Sequence, residues 1–307
     1  MENNIYDLAI LGAGPAGICA AIYATRAKLN TIWLDRKFVQ GGQIVDTYEV
    51  DNYPGLPGIT GLDLGEAMAG HAEKLGLKPK REPVLSVTDE GEIKVIRTKK
   101  NEYHARAVII ACGATHRHLG IPGEEELGGM GVSYCATCDA AFFQEGTVAV
   151  VGGGNVAVED AILLSRTCKK VYLVHRRDDL RGEKILRDSL FACHNVELVW
   201  DSVPVSVEGE DKVTALKVRN VKTDEEKEIS VDGVFIAVGI VPGSGKFKDL
   251  VKMDESGYII AGEDGVTSTP GIFAAGDIRT KNLRQVVTAV ADGANAVASV
   301  QRYLMEY

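Results

Sequence analysis

The chain lacks a long hydrophobic run, since no stretch approaches the roughly 18 apolar residues that a membrane-spanning helix needs. It also lacks an excess of positive charge, because 34 Lys and Arg residues against 43 Asp and Glu residues leave a net charge of −9. We therefore expect neither a membrane nor a nucleic acid as a partner. The first four residues are polar and acidic, so no secretory signal is predicted and we expect a cytoplasmic protein.

Cysteine is also scarce, and the six cysteines are too few and too scattered for a disulfide-stabilised scaffold. Only Cys135 and Cys138 are close in sequence, and such a C-x-x-C pair in a reducing compartment indicates catalysis or metal binding. Structural zinc needs four ligands, and the chain has neither a second C-x-x-C nor a His pair at finger spacing. We therefore favour a redox pair over zinc and predict no metal. Asp139, directly after the pair, is a candidate proton donor or acceptor, with a helix cap as the alternative.

Glycine, in contrast, is abundant, with 34 glycines among 307 residues, or about 11% against a usual level of about 7%. Two segments have the same pattern of apolar strand, glycine turn and helix, and the strands are predicted at 6–11 and 147–151. A further strand follows each of them, at 31–35 and 171–175. This duplicated unit predicts an α/β protein with two Rossmann-like, three-layer nucleotide-binding domains.

The first glycine turn follows the GxGxxG pattern of dinucleotide-binding folds. Gly12 permits the tight turn, Gly14 lets the backbone approach a pyrophosphate, and Gly17 allows close packing of the helix on the strand. The helix that begins at Pro15 and Ala16 presents free N–H groups and its positive dipole end to the phosphates. The second turn has the variant pattern GxGxxA. Its predicted cofactor-binding residues are Gly152, Gly154, Asn155, Val156 and Ala157.

The two units differ at the end of the strand that follows the glycine turn. In the first unit this position holds Asp35, whose carboxylate can bind a ribose diol. In the second unit it falls on His175, Arg176 and Arg177, with Arg181 one helical turn further on. Arginines favour a ribose 2′-phosphate, so the second unit is predicted to bind NADPH rather than NADH. A solvated basic patch is the alternative.

With NADPH assigned to the second unit, the first is predicted to bind FAD, which accepts the hydride. Gly276 and Asp277, at the end of a predicted strand 270–275, place a carboxylate near the ribityl chain of the flavin, with a helix cap as the alternative. The second unit is predicted to be an insertion. Residues 1–114 and 244–307 then form a discontinuous FAD-binding domain, and 115–243 form the NADPH-binding domain that carries the C-x-x-C pair.

Taken together, these motifs resemble those of one family, the low-molecular-weight, bacterial and archaeal type of thioredoxin reductase. The resemblance covers nearly the whole chain and is carried by the two glycine turns, by GGQ at 41–43, CATCD at 135–139, HRRD at 175–178 and GD at 276–277. It implies a homodimeric class II pyridine nucleotide-disulfide oxidoreductase, in which electrons pass from NADPH through FAD and the Cys135–Cys138 disulfide to thioredoxin. It also implies that Cys138 faces the flavin and that Cys135 attacks thioredoxin.

The resemblance adds residues that line the flavin and that composition and spacing do not indicate. These are Gly41, Gly42, Gln43, Asn52, Arg284, Gln285 and Val286. Three further candidates for cofactor binding are Arg36, Val84 and Gly113. The sequence departs from the family pattern at Cys112, where Thr is usual, and at 243–244, where Gly-Ser replaces the usual Asn after Pro242.

Two rival functions remain open at this point. The dithiol could serve another acceptor, such as a glutaredoxin-like protein or a peroxiredoxin system, although the chain has no added thioredoxin-like domain for the latter. The protein could also be a non-enzymatic flavoprotein that uses the C-x-x-C pair as a redox switch.

Overall fold

The computed structural model describes residues 5–37, 39–47 and 49–306. The polar residues 1–4, on which the prediction of no secretory signal rests, lie outside them. The chain divides into two compact units, Met1–Thr115 with Val241–Tyr307 (unit one) and His116–Ile240 (unit two). These boundaries lie one and three residues from the positions that the sequence predicted. Among the described residues, no helix combines the length and the apolar character needed to cross a membrane.

The chain starts in unit one, enters unit two and returns. The first part of unit one contains β1 (Ile5–Leu11), α1 (Pro15–Arg26), β2 (Thr31–Asp35), α2 (Gly61–Lys74), β3 (Lys80–Arg81), β4 (Val84–Glu90), β5 (Ile93–Thr98), β6 (Glu102–Ile110) and β7 (Ala114–His116). Unit two contains β8 (Val132–Ser133), α3 (Ala136–Asp139), β9 (Thr147–Val151), α4 (Asn155–Ser165), β10 (Lys170–Val174), α5 (Lys184–Phe191), β11 (Val196–Val199), β12 (Ser202–Gly209), β13 (Val213–Asn220), β14 (Glu226–Ser230), β15 (Gly233–Ile236) and the start of β16 (Ile240–Pro242). The return adds β17 (Ile272–Ala274) and α6 (Val286–Glu306). Short 3₁₀ helices occupy Gly42–Asp46, Ala140–Phe143 and Gly245–Phe247.

Unit one is built on a seven-stranded sheet in the order β3-β2-β1-β6-β5-β4, with β17 also paired to β6. Strands β1, β2, β3, β6 and β17 are parallel, whereas β4, β5 and the first half of β6 form an antiparallel meander. Strand β6 is therefore one continuous strand that pairs first with β5 and then with β17. The carboxyl ends of the parallel strands meet at one edge, where ligands bind in open α/β sheets.

The sheet of unit one is covered on both faces, because successive residues of a strand point to opposite sides. Along β1, Leu8 and Ile10 are buried in a cluster with residues of α1 and α6. Ala9 and Leu11 are buried in a second cluster, with residues such as Phe247 from the segment between β16 and β17. This produces a three-layered unit that fixes the carboxyl edge of the sheet.

Unit two has a five-stranded, fully parallel sheet in the order β11-β10-β9-β15-β8. Along β9, Val148 and Val150 pack against residues of α3, α4 and α5, whereas Ala149 and Val151 pack against the antiparallel sheet β12-β13-β14. The predicted strand 147–151 is thus the central strand of a three-layered unit. The short strand β8 joins the sheet edge beside β15 and ends two residues before Cys135.

Candidate functional site

The first glycine turn joins β1 to α1 at the carboxyl edge of unit one. Gly12 has a φ of +115°, and a Cβ there would lie 2.3 Å from the carbonyl oxygen of Ala111. A Cβ on Gly17 would lie 2.0 Å from the carbonyl oxygen of Gly12, so the helix can pack this closely only without one. Gly14, in contrast, is open, since among the described residues only the Cα of Gly42 lies within 4 Å of its would-be Cβ. Gly12 and Gly17 therefore have no room for a side chain, whereas Gly14 leaves open space at the turn.

The N-terminus of α1 is open to an anion. Within the described residues, no side chain caps its first turn, and Pro15 occupies the first helical position. The first N–H groups of a helix have no partner inside the helix, and its dipole adds positive charge there. Ala16 and Gly17 thus offer backbone N–H groups that fit a phosphate.

Asp35 is the last residue of β2, next to β1 at the same edge. Its Oδ1 accepts a hydrogen bond of 2.7 Å from the backbone N–H of Arg36, whose side chain is exposed. Burial raises the pKa of Asp35, while the backbone N–H groups of Arg36 and Lys37 act in the opposite direction. The carboxylate is half-buried at the strand end, as a ligand of a ribose diol must be.

The residues implied only by the resemblance lie partly against the first glycine turn. The backbone N–H of Gly41 donates to the carbonyl oxygen of Ala13 at 2.7 Å, and Gly42 lies against Gly14. Gln43 follows in the 3₁₀ helix Gly42–Asp46.

Two more of these residues contact each other across a long sequence separation. Asn52 Nδ2 donates to Gln285 Oε1 at 3.0 Å, and Val286 packs on the cluster of Ile44, Val50 and Leu64. The segment after β2 and the start of α6 are therefore brought together. Gly113 follows β6 at the carboxyl edge and pairs through its carbonyl oxygen with the N–H of Gly243.

Val84 lies elsewhere. It starts β4, is buried in a hydrophobic cluster that also holds Leu34 and Ala274, and accepts a hydrogen bond from Lys246 Nζ on its carbonyl oxygen at 2.9 Å. Its side chain is therefore part of the core, and its carbonyl oxygen already has a partner.

Asp277 lies in the turn that follows β17, at the carboxyl edge. Among the described residues, only three buried side-chain polar atoms lack a hydrogen-bond partner, and two of them are Asp277 Oδ1 and Arg284 Nε. Burial raises the pKa of Asp277, while the positive charges of Lys281 and Arg284 lower it. The guanidinium of Arg284 also stacks on the ring of Tyr258, 4.0 Å from its centroid. An orphaned acceptor and an orphaned donor in one turn fit a polar ligand.

The second glycine turn, between β9 and α4, repeats the first. A Cβ on Gly152 would lie 2.5 Å from the carbonyl oxygen of Ala237, which follows β15 as Ala111 follows β6. Gly154 is open, with no atom within 4 Å of its would-be Cβ, and in the described chain no side chain caps α4. Ala157 is fully buried, whereas Val156 is half exposed beside the turn. This N-terminus also fits a phosphate.

The arginine-rich loop after β10 is fastened to the second turn at two points. The backbone N–H of Arg181 donates to the carbonyl oxygen of Gly153 at 2.8 Å. Asn155 and Glu183 exchange two hydrogen bonds, of 2.9 and 3.1 Å. The loop therefore lies beside the open N-terminus of α4.

The three arginine side chains of this loop are open to a ligand. Arg176, Arg177 and Arg181 are exposed, and no salt bridge or side-chain hydrogen bond engages them in the described part of the chain. His175 is buried against Gly153, and its Nε2 is the third orphaned atom. Burial, and then the positive charge of Arg181, lower the pKa of His175, so its ring is neutral near pH 7. Three unpaired cations at one turn fit a phosphate group outside the pyrophosphate.

The two cysteines lie at the carboxyl edge of unit two, directly after β8. Cys135 and Cys138 form a disulfide with their Cα atoms 5.3 Å apart. Ala136 between them packs in the cluster that contains Ala157 and Val158 from the first turn of α4. Because β8, β9 and β10 are parallel in one sheet, the disulfide, the glycine turn and the arginine loop share an edge. In the described chain, no group of three His, Cys, Asp or Glu residues is arranged to hold a metal.

Asp139 ends α3, and the structure gives it a partner that the sequence did not indicate. Ser133, buried at the end of β8, donates from Oγ to Asp139 Oδ2 at 2.5 Å and accepts from the N–H of Cys135 at 3.0 Å. Burial raises the pKa of Asp139, and the Ser133 hydroxyl lowers it. Cys135 is the N-cap of α3, and Asp139 stands at the N-cap position of the 3₁₀ helix Ala140–Phe143 without, in the described chain, a capping hydrogen bond to its side chain. A half-buried acid one residue from a disulfide can exchange a proton with it.

Comparison with known proteins places this arrangement in a family. A family model described as pyridine nucleotide-disulphide oxidoreductase matches residues 6–293. Thioredoxin reductases of Listeria innocua and Bacillus subtilis are 47% and 46% identical over 306 residues, which is 99% of this chain and 96% of each relative. A crystal structure of thioredoxin reductase from Streptococcus pyogenes, 45% identical, covers 100% of both chains with a TM-score of 0.95. The chain therefore belongs to the pyridine nucleotide-disulphide oxidoreductases and, among them, to the thioredoxin reductase family.

Proposed function

We propose that the protein is an NADPH-dependent thioredoxin-disulfide reductase with FAD as its flavin. The observation that carries this proposal is the Cys135–Cys138 disulfide, which shares the carboxyl edge of one sheet with a glycine turn and three unpaired arginines. Family membership implies a flavin and a nicotinamide cofactor. Thioredoxin as the acceptor is supported by the names of the relatives.

FAD is the dinucleotide that suits unit one. The open N-terminus of α1 would hold the pyrophosphate, and Asp35 would hold the adenosine ribose. The orphaned Oδ1 of Asp277 would accept a hydrogen bond from a ribityl hydroxyl, and Arg284 Nε would donate to the same ligand. The end of β2 holds an acid, Asp35, where the end of β10 is followed by arginines, so unit one favours ribose hydroxyls over a 2′-phosphate.

NADPH suits unit two for the opposite reason. The open N-terminus of α4 would hold its pyrophosphate, with Gly152 and Gly154 leaving room for the phosphates. Arg176, Arg177 and Arg181 would surround the 2′-phosphate, which carries the charge that NADH lacks. When bound, the two cofactors supply the hydride and the electron pair.

The chain supplies the thiol chemistry. Two electrons and two protons convert the Cys135–Cys138 disulfide to a dithiol, and Asp139 is positioned to pass one of the protons. The backbone N–H of Cys138 donates to Cys135 Sγ at 3.2 Å, which favours the thiolate on Cys135. This thiolate attacks a disulfide sulfur of thioredoxin and releases the first thioredoxin thiol. Cys138 then attacks Cys135 in the mixed disulfide, so that the disulfide reforms and reduced thioredoxin leaves.

We also infer a cytoplasmic homodimer. The resemblance supports the dimer, and four unpaired cysteines among the described residues suit a reducing compartment. Sedimentation of the purified protein at several concentrations tests the dimer.

One assay tests the proposed function directly. The purified protein should oxidise NADPH when oxidised thioredoxin is supplied, and do so far more slowly with NADH. A glutaredoxin-like protein, a peroxiredoxin and a small disulfide reagent serve as alternative acceptors. Turnover with one of these, but not with thioredoxin, would contradict the assignment of the acceptor. A protein that binds no flavin after reconstitution would contradict the proposal as a whole.

A further inference from the structure

One buried carboxylate lies directly beneath the turn that carries Asp277. Asp292, on α6, accepts four hydrogen bonds: from the backbone N–H of Gly276 at 2.9 Å, from Arg279 at 2.9 and 2.7 Å, and from Lys281 Nζ at 2.9 Å. Asp292 and Arg279 are each only 5% exposed. The motifs in the sequence do not include these residues, and the chemistry proposed above does not use them.

We propose that Asp292, together with Arg279 and Lys281, is a positioning residue that holds Asp277 for the flavin. The inference rests on the proposed function, in which Asp277 contacts the ribityl chain. It assigns no contact between Asp292 and the flavin itself. Instead, Asp292 acts on the backbone immediately before Asp277 and on two side chains that follow it.

The contacts of the turn explain why it needs such support. Asp277 lies between β17, which ends at Ala274, and α6, which begins at Val286, in a segment where an isolated β-bridge between Ile259 and Arg279 takes the place of a strand ladder. The hydrogen bond from Gly276 N–H to Asp292 fixes the residue before it. Arg279 also donates to the carbonyl oxygens of Ala261 and Thr280, at 3.3 and 2.8 Å, so this guanidinium fixes the residues after it.

The same part of α6 also contacts the phosphate-binding helix. A Cβ on Gly293, next to Asp292, would lie 2.2 Å from the carbonyl oxygen of Ala16, and one on Gly276 would lie 2.9 Å from the Ala16 Cβ. Gly293 thus packs on the start of α1, while the preceding residue, Asp292, holds the Asp277 turn. Asp292 therefore sets the distance between the acidic turn and the open N-terminus of α1.

The charges of the group act on Asp277 in both directions. Two buried cations share one carboxylate, so the group has an excess positive charge next to Asp277. Lys281 lies in the electrostatic field of both acids and lowers the pKa of Asp277. The positive charge of Lys281 therefore opposes the effects of burial and of the Asp292 charge, both of which raise the pKa of Asp277.

A thermodynamic cycle in FAD binding tests the proposal. Asp292→Asn, Asp277→Asn and the double variant are prepared as apoprotein, and the dissociation constant for FAD is measured for each. We expect each single substitution to weaken FAD binding about tenfold, because each removes the effect of one charge-assisted hydrogen bond. If Asp292 acts through Asp277, the double variant should bind FAD within about threefold of Asp277→Asn alone. The circular dichroism of bound flavin should change in Asp292→Asn.

Thermal unfolding of the same apoproteins separates positioning from stability. Asp292→Asn should lower the melting temperature by the same amount in the unsubstituted protein and in Asp277→Asn. Its effect on FAD affinity, in contrast, should vanish in Asp277→Asn. Asp89→Asn is the matched control, because Asp89 partners the buried Lys94 at 2.7 Å away from the turn. It should lower the melting temperature and leave FAD affinity unchanged. If Asp292→Asn does not fold, Arg279→Lys, which keeps the charge and loses the bidentate geometry, enters the cycle instead.

The outcomes are distinct. If Asp292→Asn weakens FAD binding equally in the unsubstituted protein and in Asp277→Asn, the positioning role is overturned. If Asp277→Asn binds FAD as the unsubstituted protein does, the contact of Asp277 with the flavin is wrong and the inference falls with it, while the reductase assay is unaffected. If the unsubstituted protein binds no FAD, the proposed function itself fails.

Discussion

The two glycine turns are nearly the same backbone structure with different charges around them. In each, the first glycine faces the carbonyl oxygen of the residue that follows the neighbouring parallel strand, Ala111 for Gly12 and Ala237 for Gly152. In each, the helix begins without a side-chain cap, and the second glycine is open. The comparison teaches that the backbone selects a dinucleotide. The side chains at the end of the next strand, one acid or three arginines, then decide which dinucleotide.

The largest difference between the units is the disulfide, which lies at the carboxyl edge of unit two. Unit one has a cysteine at its own carboxyl edge, Cys112, but it is unpaired, and burial raises the pKa of its thiol. Cys135→Ser should therefore abolish thioredoxin reduction, whereas Cys112→Ser should leave turnover unchanged. Steady-state NADPH oxidation with thioredoxin measures both. Turnover that survives Cys135→Ser would remove the dithiol from the reaction.

A trapping experiment separates the roles of the two cysteines. The probe is a thioredoxin that keeps only its attacked cysteine, activated as a mixed disulfide with thionitrobenzoate. Cys138→Ser should release thionitrobenzoate and form a covalent complex through Cys135, and Cys135→Ser should not. The reverse pattern would exchange the two roles.

Substitutions in the arginine loop have the next largest expected effect. Arg176→Ala combined with Arg177→Ala should raise the Michaelis constant for NADPH about 100-fold, because two charge-assisted contacts to the 2′-phosphate are lost. The constant for NADH should hardly change. Arg219→Ala with Lys227→Ala, on the antiparallel sheet of the same unit, removes the same charge as a control. If NADH already serves as well as NADPH before substitution, the arginines do not select the cofactor.

Local signals in the sequence predicted the parts of the fold that depend on local sequence. The strands Thr31–Asp35 and Thr147–Val151 are found at the predicted residues, because short apolar runs bounded by glycine or polar residues indicate buried parallel strands. Helix α2 was not predicted, since glycines at 61, 65 and 70 weaken the helical signal. Strand β6 has no single pattern along its sequence, because its first half pairs in the antiparallel meander with β5 and its second half lies between parallel strands.

The candidate site was predictable where a motif carries it, as in the glycine turns and the C-x-x-C pair. Ser133 and Asp292 were missed for a different reason. Each acts on a residue that only the folded chain brings near, Asp139 in one case and Gly276 in the other. Asp292 in a helix looks like an exposed polar residue until its buried cations, 11 and 13 positions away, are known.

The third position of the turn offers a matched stability comparison. It is glycine in unit one and alanine in unit two, and a Cβ on Gly17 would lie 2.0 Å from the Gly12 carbonyl oxygen. Gly17→Ala should therefore destabilise the protein by about 2 kcal/mol through overpacking and weaken FAD binding. Ala157→Gly should cost at most about 1 kcal/mol, the difference in helix propensity. Denaturant unfolding measures both. A Gly17→Ala variant as stable as the unsubstituted protein would show that the first turn tolerates a Cβ as the second does.

The smallest expected effect concerns Asp139, one of two half-buried acids at the carboxyl edges. Asp139 has a hydroxyl partner, whereas the Oδ1 atom of the other acid, Asp277, has none among the described residues. Burial raises the pKa of Asp139 and the Ser133 hydroxyl lowers it, so Ser133→Ala should raise it further. The limb of the pH–rate profile that Asp139→Asn abolishes should then move to higher pH, by up to about one unit for one lost hydrogen bond. Ser202→Ala is the control, because the buried Ser202 hydroxyl donates only to the backbone carbonyl oxygen of Trp200. A profile that stays in place in Ser133→Ala, or moves equally in Ser202→Ala, would show that the serine does not tune this acid. The comparison would then reduce to the difference in cofactor charge.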